Sequence, residues 1–177
     1  MDSENLQTME EALANVPEKL KNWFSAMWDA TVKRKVKNLK YIKDLGDVSQ
    51  KTKEATQEFY GKTISKQVIT PYGLKHIYDR HGKDIEKELA DEQIPITAEI
   101  IALIPDVLAN PDNVKKSHSA NKNGYETIVL SKEYAEGTVH AVEAILKSNV
   151  LEVYTVYVWN KGKTEKKRLA SKNDIVP

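Results

Sequence analysis

The sequence contains no cysteine, and this absence excludes disulfide bonds, thiolate metal sites and a cysteine nucleophile. It also has no long apolar run, so we expect no transmembrane helix. The opening residues, MDSENLQTMEE, are acidic and polar, which is not the pattern of a secretory signal peptide. A large excess of one charge is missing too: the formal net charge is +1, so no global basic field indicates nucleic acid.

Motifs that mark several enzyme classes are also absent from the sequence. There is no glycine-rich phosphate loop, no Gly-x-Ser-x-Gly elbow and no His-Glu-x-x-His pair. The four histidines, His76, His81, His118 and His140, lack the spacing of a closed zinc site. We therefore expect no metal and no other cofactor, which disfavours a metal-dependent DNase.

Positive charge is concentrated in two short segments. The first segment contains Lys33, Arg34, Lys35, Lys37, Lys40 and Lys43, and the second contains Lys161, Lys163, Lys166, Lys167 and Arg168. We interpret both segments as solvated surface charge.

Residues 1–61 are predicted to form three helices. The residues expected to begin or end them are Ser3, Pro17, Leu45, Gly46, Ser49 and Gly61. The second helix, predicted to run from Pro17 to Leu45, carries an apolar stripe with Trp23, Phe24 and Trp28. We interpret the stripe as helix–helix core; the alternative is a basic amphipathic helix that contacts a membrane or a partner.

Residues 62–177 are predicted to form a second domain, because residues 61–67 resemble a linker. Helices are expected at 70–82, 83–90 and 97–108, and Pro105 should either kink the last helix or mark a break in it. Three strands follow at 125–134, 138–146 and 150–159, joined as antiparallel hairpins. Helices followed by a meandering sheet indicate an α+β fold.

The stretch TPYGLKHIYDRHG holds two histidines on one predicted helix. Thr70 is expected to cap this helix, and Gly82 to end it with a positive φ. His76 and His81 lie about 140° apart on an ideal helix. They can converge on one substrate only if His81 leaves the regular helix, whereas Arg80 shares the face of His76.

The two last strands carry polar side chains among apolar ones. Glu143 and Lys147 share one face of the middle strand, by the two-residue alternation. The alternation puts one set of last-strand side chains on a common face: Leu151, Val153, Thr155, Tyr157 and Trp159. A buried glutamate needs a partner, so Glu143 is either salt-bridged to a neighbouring cation or a site carboxylate.

Cleavage of RNA without a metal needs only a base, an acid and groups that steady the phosphorane. The chain offers residues of these types at His76, Arg80, His81, Lys147, Thr155 and Tyr157.

Three stretches carry a resemblance to a known family: LKHIYDRHGKDI, QIPITAEIIALIPDVLANPDNV and VHAVEAILKSNVLEVYTVYVWNK. They resemble the nucleases of the barnase–EndoU–colicin–RelE (BECR) superfamily that occur in phage MuF-type proteins, polymorphic toxins and contact-dependent inhibition systems. The resemblance covers residues 69–161. It implies helices packed on a meandering four-stranded antiparallel sheet, and metal-independent cleavage of RNA, with tRNA as one such target, rather than of DNA.

The resemblance also implies roles for individual residues. The catalytic positions matched are His81, His76, Glu143, Thr155 and Tyr157, and the substrate-binding positions are Arg80 and Lys147. Such a toxin is delivered to act in a bacterial cytoplasm and is paired with a cognate immunity protein.

Two alternatives stay open at this point. Residues 1–61 are either a delivery segment or a structural collar for the nuclease domain. The whole chain is either a ribonuclease or a non-catalytic interaction module, such as a phage structural domain or an immunity protein, with the same fold.

Overall fold

Helices cover one face of a twisted sheet in the computed structural model, which describes residues 5–117 and 124–162. The α-helices are α1 (Met9–Asn15), α2 (Glu18–Val32), α3 (Gln50–Tyr60), α4 (Pro71–Ile77), α5 (Ile85–Ala90), α6 (Ala98–Ala102) and α7 (Ile104–Ala109). A π turn (Tyr78–Gly82) continues α4. The strands are β1 (Lys43–Asp44), β2 (Lys66–Ile69), β3 (Gln93–Ile94), β4 (Asn113–Lys116), β5 (Glu126–Glu133), β6 (Thr138–Lys147) and β7 (Val150–Asn160). The predicted α+β class is confirmed.

The sheet has the order β1-β2-β7-β6-β5-β4, and β3 adds to β7 beside β2. Strands β4 to β7 form the antiparallel meander that the resemblance implied, while β2 runs parallel to β7. β2 and β3 pair with opposite ends of β7, and α4 lies against the middle. A Cβ on Gly73 of α4 would lie 3.2 Å from the Val153 carbonyl oxygen, so the glycine permits this close approach.

A β-bulge divides β7 into two halves that present opposite faces. Glu143 pairs with Thr155, but the next residue of β6, Ala144, pairs with Val153, so Tyr154 is an extra residue. The predicted common face of β7 is therefore wrong: Leu151 and Val153 belong to the main core under the helices. Thr155 and its partners lie on the other side, called here the second face and defined by Val129, Val139, Ala141, Glu143, Thr155, Tyr157 and Trp159.

The predicted second helix is too long. α2 ends at Val32, not at Leu45, because Arg34 adopts a left-handed φ of 56°. The Arg34 and Lys35 amides donate to the Thr31 and Ala30 carbonyl oxygens, the paired bonds of a Schellman C-terminus. The start of the chain also differs, since Thr8 caps α1, whereas Ser3 lies outside the described residues.

The apolar stripe of α2 is core, as predicted. Phe24 and Trp28 are buried, and Trp28 packs edge-on against Tyr78 of the π turn. The expected positive φ of Gly82 is wrong. Glycine is required there for space, because a Cβ would lie 3.1 Å from ring atoms of both Trp28 and Tyr78.

The sheet and the main core both run across the predicted boundary between residues 61 and 62. β1 precedes the boundary and pairs with β2, which follows it. Phe24, Trp28 and Leu45 belong to the same buried cluster as residues of β5 to β7. Residues 5–61 therefore pack into the same sheet and core as the residues that follow them.

Candidate active site

The π turn presents His81 at the edge of the second face. Thr70 caps α4 by accepting from the Gly73 amide, as predicted, and Lys83 N donates to Tyr78 O to close the wider turn. This turn takes His81 out of the regular helix. Its imidazole centroid lies 6.0 Å from the ring centroid of Tyr157 on β7.

Glu88 holds the other side of the His81 ring. His81 Nδ1 lies 3.2 Å from both carboxylate oxygens of Glu88, which is only 2% exposed. Burial raises the pKa of Glu88 to about 7, Asp91 and Asp84 add to the rise, and Lys87 opposes it. When ionised, Glu88 accepts from Nδ1–H, and the neutral ring then presents Nε2 as a proton acceptor. The pair has the geometry of a general base with its orienting carboxylate.

Sequence reasoning missed Glu88. The residue sits among exposed glutamates and lysines of the short acidic helix α5, and its burial depends on tertiary packing. The only available signal was its position, seven residues after His81, on a helix that follows the turn.

Glu143, Thr155 and Tyr157 are neighbours on the second face. Glu143 and Thr155 are directly paired across β6 and β7, which separates their Cβ atoms by about 5 Å. Tyr157 is two residues further along β7 and stacks on Trp159, with centroids 5.6 Å apart. Tyr157 therefore lies between His81 and the pair formed by Glu143 and Thr155.

The Thr155 hydroxyl is buried in a way that favours a ligand. Glu143 is 8% exposed and Thr155 is 7% exposed. Within the described residues, the Thr155 hydroxyl has no hydrogen-bond partner, although a buried hydroxyl normally has one. A phosphate oxygen bound on this face would provide that partner.

His76 lies at a different point along β7. Its ring packs on the bulged residue Tyr154, with centroids 4.6 Å apart. Tyr154 and Tyr157 are three residues apart, so the two histidines meet β7 about 10 Å apart. His76 therefore lies beside Tyr154, and His81 lies nearer to Thr155 and Tyr157 of the second face.

Arg80 and Lys147 are the outermost of the predicted residues. The Arg80 side chain is exposed on the π turn. Lys147 lies four residues from Glu143 along β6, about 13 Å by strand rise, and its Nζ is 3.3 Å from Glu152 Oε2. His118 lies outside the described residues.

Lys115 is a further cation that sequence reasoning missed. It pairs with Val129, which pairs with Glu143, so the three share the second face in one row that ends at Thr155. Lys115 is exposed at the open edge of this row. It belongs to the edge strand β4.

His140 belongs to a separate, structural cluster on the core side. Lys132 Nζ and Tyr134 OH donate to Asp106 Oδ2 at 2.6 and 2.7 Å, and His140 Nε2 lies 3.1 Å from Thr138 Oγ1. Burial lowers the pKa of His140 to about 4, with Asp106 opposing the shift. The neutral His140 ring packs edge-on against Tyr134, at 4.8 Å.

Among the residues that the structure describes, no group of three or more His, Cys, Asp or Glu side chains could hold a metal ion. None of the described helices is long and apolar enough to cross a bilayer.

Comparison with protein families identifies the chain. Its residues 43–166, more than half of the sequence, match the family described as phage-Barnase-EndoU-ColicinE5/D-RelE like nuclease3. Curated protein sequences and solved structures gave no significant match. The family supports a nuclease activity and a nucleic-acid substrate in general. Because the match covers more than half of the sequence, the chain belongs to this nuclease family.

Proposed function

We propose that the protein is a metal-independent endoribonuclease that cleaves RNA by 2′-hydroxyl transesterification. The observation that carries the proposal is the contact of His81 with the buried Glu88, beside a face with Glu143, Thr155 and Tyr157. These residue types supply a base, an acid and phosphate ligands without a metal.

The reaction uses the substrate's own hydroxyl as nucleophile. A base removes the 2′-proton, the 2′-oxygen bonds to phosphorus, the bond from phosphorus to the 5′-oxygen breaks, and an acid protonates that oxygen. We assign one of these proton transfers to His81 Nε2, because Glu88 orients the opposite nitrogen. The products are a 2′,3′-cyclic phosphate and a 5′-hydroxyl.

The other proton transfer has two candidates near the scissile phosphate. Glu143 is the carboxyl group paired with Thr155, and His76 borders the site on Tyr154. Glu143 is the nearer to Thr155, so we assign it the complementary step and assign His76 to substrate contact.

The phosphate would be held on β7 and by cations at the rim. The Thr155 and Tyr157 hydroxyls face the same side and are expected to donate to non-bridging phosphate oxygens. Lys115, Arg80 and Lys147 surround the site at greater distance and would contact flanking phosphates.

The biological setting is proposed on the family's phage association. We propose a toxin domain that acts on RNA in a bacterial cytoplasm, with tRNA as one candidate target, in interbacterial competition or phage–host conflict. A cognate immunity protein would cover the second face. For residues 1–61 we propose the collar role, because Trp28 packs directly on the turn that carries His81.

The test compares the full chain with His81→Ala. An acid or base contributes about a hundred- to ten-thousandfold in rate, so cleavage should fall by that factor. Lys83→Ala is the matched control, since Lys83 is exposed two residues away and should leave cleavage unchanged. Equal cleavage by the wild type and His81→Ala would remove His81 from the reaction.

The same assay separates the proposed chemistry from its rivals. Cleavage should survive EDTA, yield a 2′,3′-cyclic phosphate and spare a DNA strand of the same sequence. Loss of cleavage in EDTA that a divalent ion restores would indicate a metal-dependent nuclease. Normal growth and intact RNA in bacteria that express the folded full chain would favour the non-catalytic interaction module.

A further inference from the structure

Residues 33–43, called here the lysine loop, contain six cations and no acidic residue in a chain of net charge +1. We propose that this loop, together with Tyr72, binds single-stranded RNA that extends from the active site. The inference rests on the proposed ribonuclease function and names the form of RNA and the path it takes.

The cations of the loop are available to a partner. The exposed ones are Lys33, Arg34, Lys35, Lys37 and Lys40. Of these, Lys33 forms a salt bridge with Asp29, which is itself exposed. A segment with six cations and no carboxylate of its own matches a polyanion by charge.

The lysine loop is not a continuation of α2, and backbone contacts hold it in place. Arg34 turns the chain sharply at the end of α2, in a left-handed conformation that is uncommon for a residue with a side chain. The Tyr72 amide then donates to the Leu39 carbonyl oxygen at 3.1 Å. This bond fastens the loop to the first turn of α4, the helix that leads to the active site.

Two exposed tyrosines stand where the loop meets α4. Tyr41 is 49% exposed and Tyr72 is 60% exposed, both unusually high for large rings. Proteins bind single-stranded nucleic acids with exposed aromatic rings beside lysines, because bases stack on the rings while phosphates contact the cations. Paired bases are not available for such stacking, so the surface favours single strands over duplex.

A continuous path links this surface to the reacting groups. Tyr72 precedes His76 by one helical turn, about 6 Å along the axis, and the two share a helix face. His76 packs on Tyr154 of β7, and His81 approaches Tyr157 further along the same strand. A strand bound on Tyr72 can therefore pass His76 and reach the second face.

A cavity of about 130 Å³ opens between the lysine loop and α4. Arg34 and Leu39 line it from the loop, and Lys75 and Tyr78 line it from α4 and the π turn. Asp79 also lines the cavity and forms a salt bridge with Lys75, so Arg34 and the Tyr78 ring are the groups here that suit a nucleotide.

An anionic membrane is the other polyanion to consider, but the geometry disfavours it. Interfacial binding of this kind uses an amphipathic helix with a broad apolar face. The lysine loop is not helical, and the apolar stripe of the preceding helix is buried in the core at Phe24 and Trp28. The structure therefore favours RNA.

The experiment measures binding of the full chain to a short single-stranded oligonucleotide with methylated 2′-hydroxyls, which cannot be cleaved. The triple variant Lys35→Gln/Lys37→Gln/Lys40→Gln should weaken binding about 10- to 100-fold at 0.1 M salt. Each lost phosphate contact lowers the exponent with which affinity depends on salt concentration by about 0.7. The slope of log Kd against log salt should fall by about 2. Tyr72→Ala should weaken binding about tenfold, while Tyr72→Phe should bind as the wild type does.

The matched control is Lys19→Gln/Lys53→Gln/Lys66→Gln, which removes three exposed lysines elsewhere and changes the net charge equally. It should bind with nearly wild-type affinity. Equal weakening by both triple variants would overturn the proposal, since general charge would then account for binding. Duplex RNA bound as tightly as the single strand would overturn it too.

Two further arms separate this inference from the ribonuclease proposal and from membrane binding. Cleavage of a dinucleotide, which is too short to reach Tyr72, should be unchanged in the lysine-loop variant. If the lysine-loop variant binds and cleaves RNA as the wild type does, the inference is refuted and the ribonuclease proposal stands. If the variant loses binding but the wild type cleaves no RNA, the inference stands and the ribonuclease proposal is refuted. A variant that loses binding to anionic phospholipid vesicles, but not to RNA, would assign the loop to a membrane.

Discussion

Thr155 carries a buried hydroxyl that the described residues do not satisfy. Leaving such a group unpaired costs the folded state about 1 to 3 kcal/mol. Thr155→Val keeps the shape and removes the hydroxyl, so the free energy of unfolding should rise, by up to that amount. Cleavage should fall, because the phosphate loses a ligand. Thermal unfolding and RNA cleavage of the same preparation measure both effects.

Thr52→Val is the matched control for this substitution. Thr52 is also buried, but its hydroxyl lies 2.8 Å from Ser49 Oγ at the start of α3. This variant should lose stability and keep its cleavage rate. A Thr155→Val protein that loses stability and cleaves normally would show that Thr155 has only a structural role.

Glu88 is predicted to link activity and stability to pH. Its folded-state pKa of about 7 lies above the usual carboxyl value of 4.5, so the folded state holds the proton more tightly than the unfolded state. Stability is therefore highest below pH 4.5 with respect to this group and falls as the pH rises to about 7. The total change is up to about 3 kcal/mol.

Glu88→Gln should remove this fall and make the protein more stable at pH 8. Cleavage should drop by on the order of a hundredfold, because a glutamine cannot stabilise the protonated His81 ring. Urea unfolding at pH 5 and pH 8, with cleavage measured at the same pH values, tests both. A variant with the wild-type pH dependence of unfolding would contradict the assigned pKa.

His81, Glu143, Thr155 and Tyr157 could be proposed from the sequence because their chemistry is unusual for their positions. A histidine beside a predicted helix end and polar groups within apolar strands are visible without a structure. Glu88 could not be found that way, since a glutamate in an acidic helix is ordinary and only packing of α5 buries it. The role of each predicted residue stays a prediction.

At the scale of elements, local sequence signals predicted helix ends and long strands, whereas strands that form only by long-range pairing were not predicted. The cap at Thr70, a break near Pro105 (at Leu103, with Pro105 in the first turn of α7) and the three long strands follow from turn chemistry and alternation. Strands β1, β2 and β4 are two to four residues long and form only because neighbours pair with them. The bulge at Tyr154 has no sequence signal, although it decides which β7 residues face the site.

The π turn depends on α2 in a way that can be tested. Gly82 has no side chain, and a Cβ there would lie 3.1 Å from the rings of Trp28 and Tyr78. Gly82→Ala should cost about 1 to 3 kcal/mol, because a packed site must shift to admit the methyl group. Since His81 precedes Gly82, the shift should also lower kcat, with little change in KM.

Trp28→Phe provides the matching suppressor of Gly82→Ala. The smaller ring leaves room for the methyl group, so the double variant should recover part of the cleavage lost in Gly82→Ala. Unfolding and cleavage of both single variants and the double variant give the coupling energy. Strict additivity of the two changes would contradict the contact between α2 and the turn.

At the scale of the molecule, residues 5–61 contribute large side chains to the core that contains the sheet. Phe24, Trp28, Leu45 and Val48 are all buried in the cluster that contains the sheet. Each such side chain contributes about 1.5 to 3 kcal/mol by burial, so together they supply roughly 6 to 12 kcal/mol. That sum is comparable with the whole stability of a typical domain, about 5 to 15 kcal/mol.

The fragment 62–177 should therefore fail to fold alone, and a separately produced segment 1–61 should restore folding and cleavage when added. The fragment 43–177, which keeps β1, Leu45 and Val48 and begins where the family match begins, should fold with a lower Tm than the full chain. Circular dichroism and thermal unfolding of the three proteins test this order. If residues 62–177 instead fold with the Tm of the full chain and cleave RNA at its rate, residues 1–61 are not a collar. The delivery role would then be the better account of them, because a segment that adds nothing to the core must be retained for another purpose.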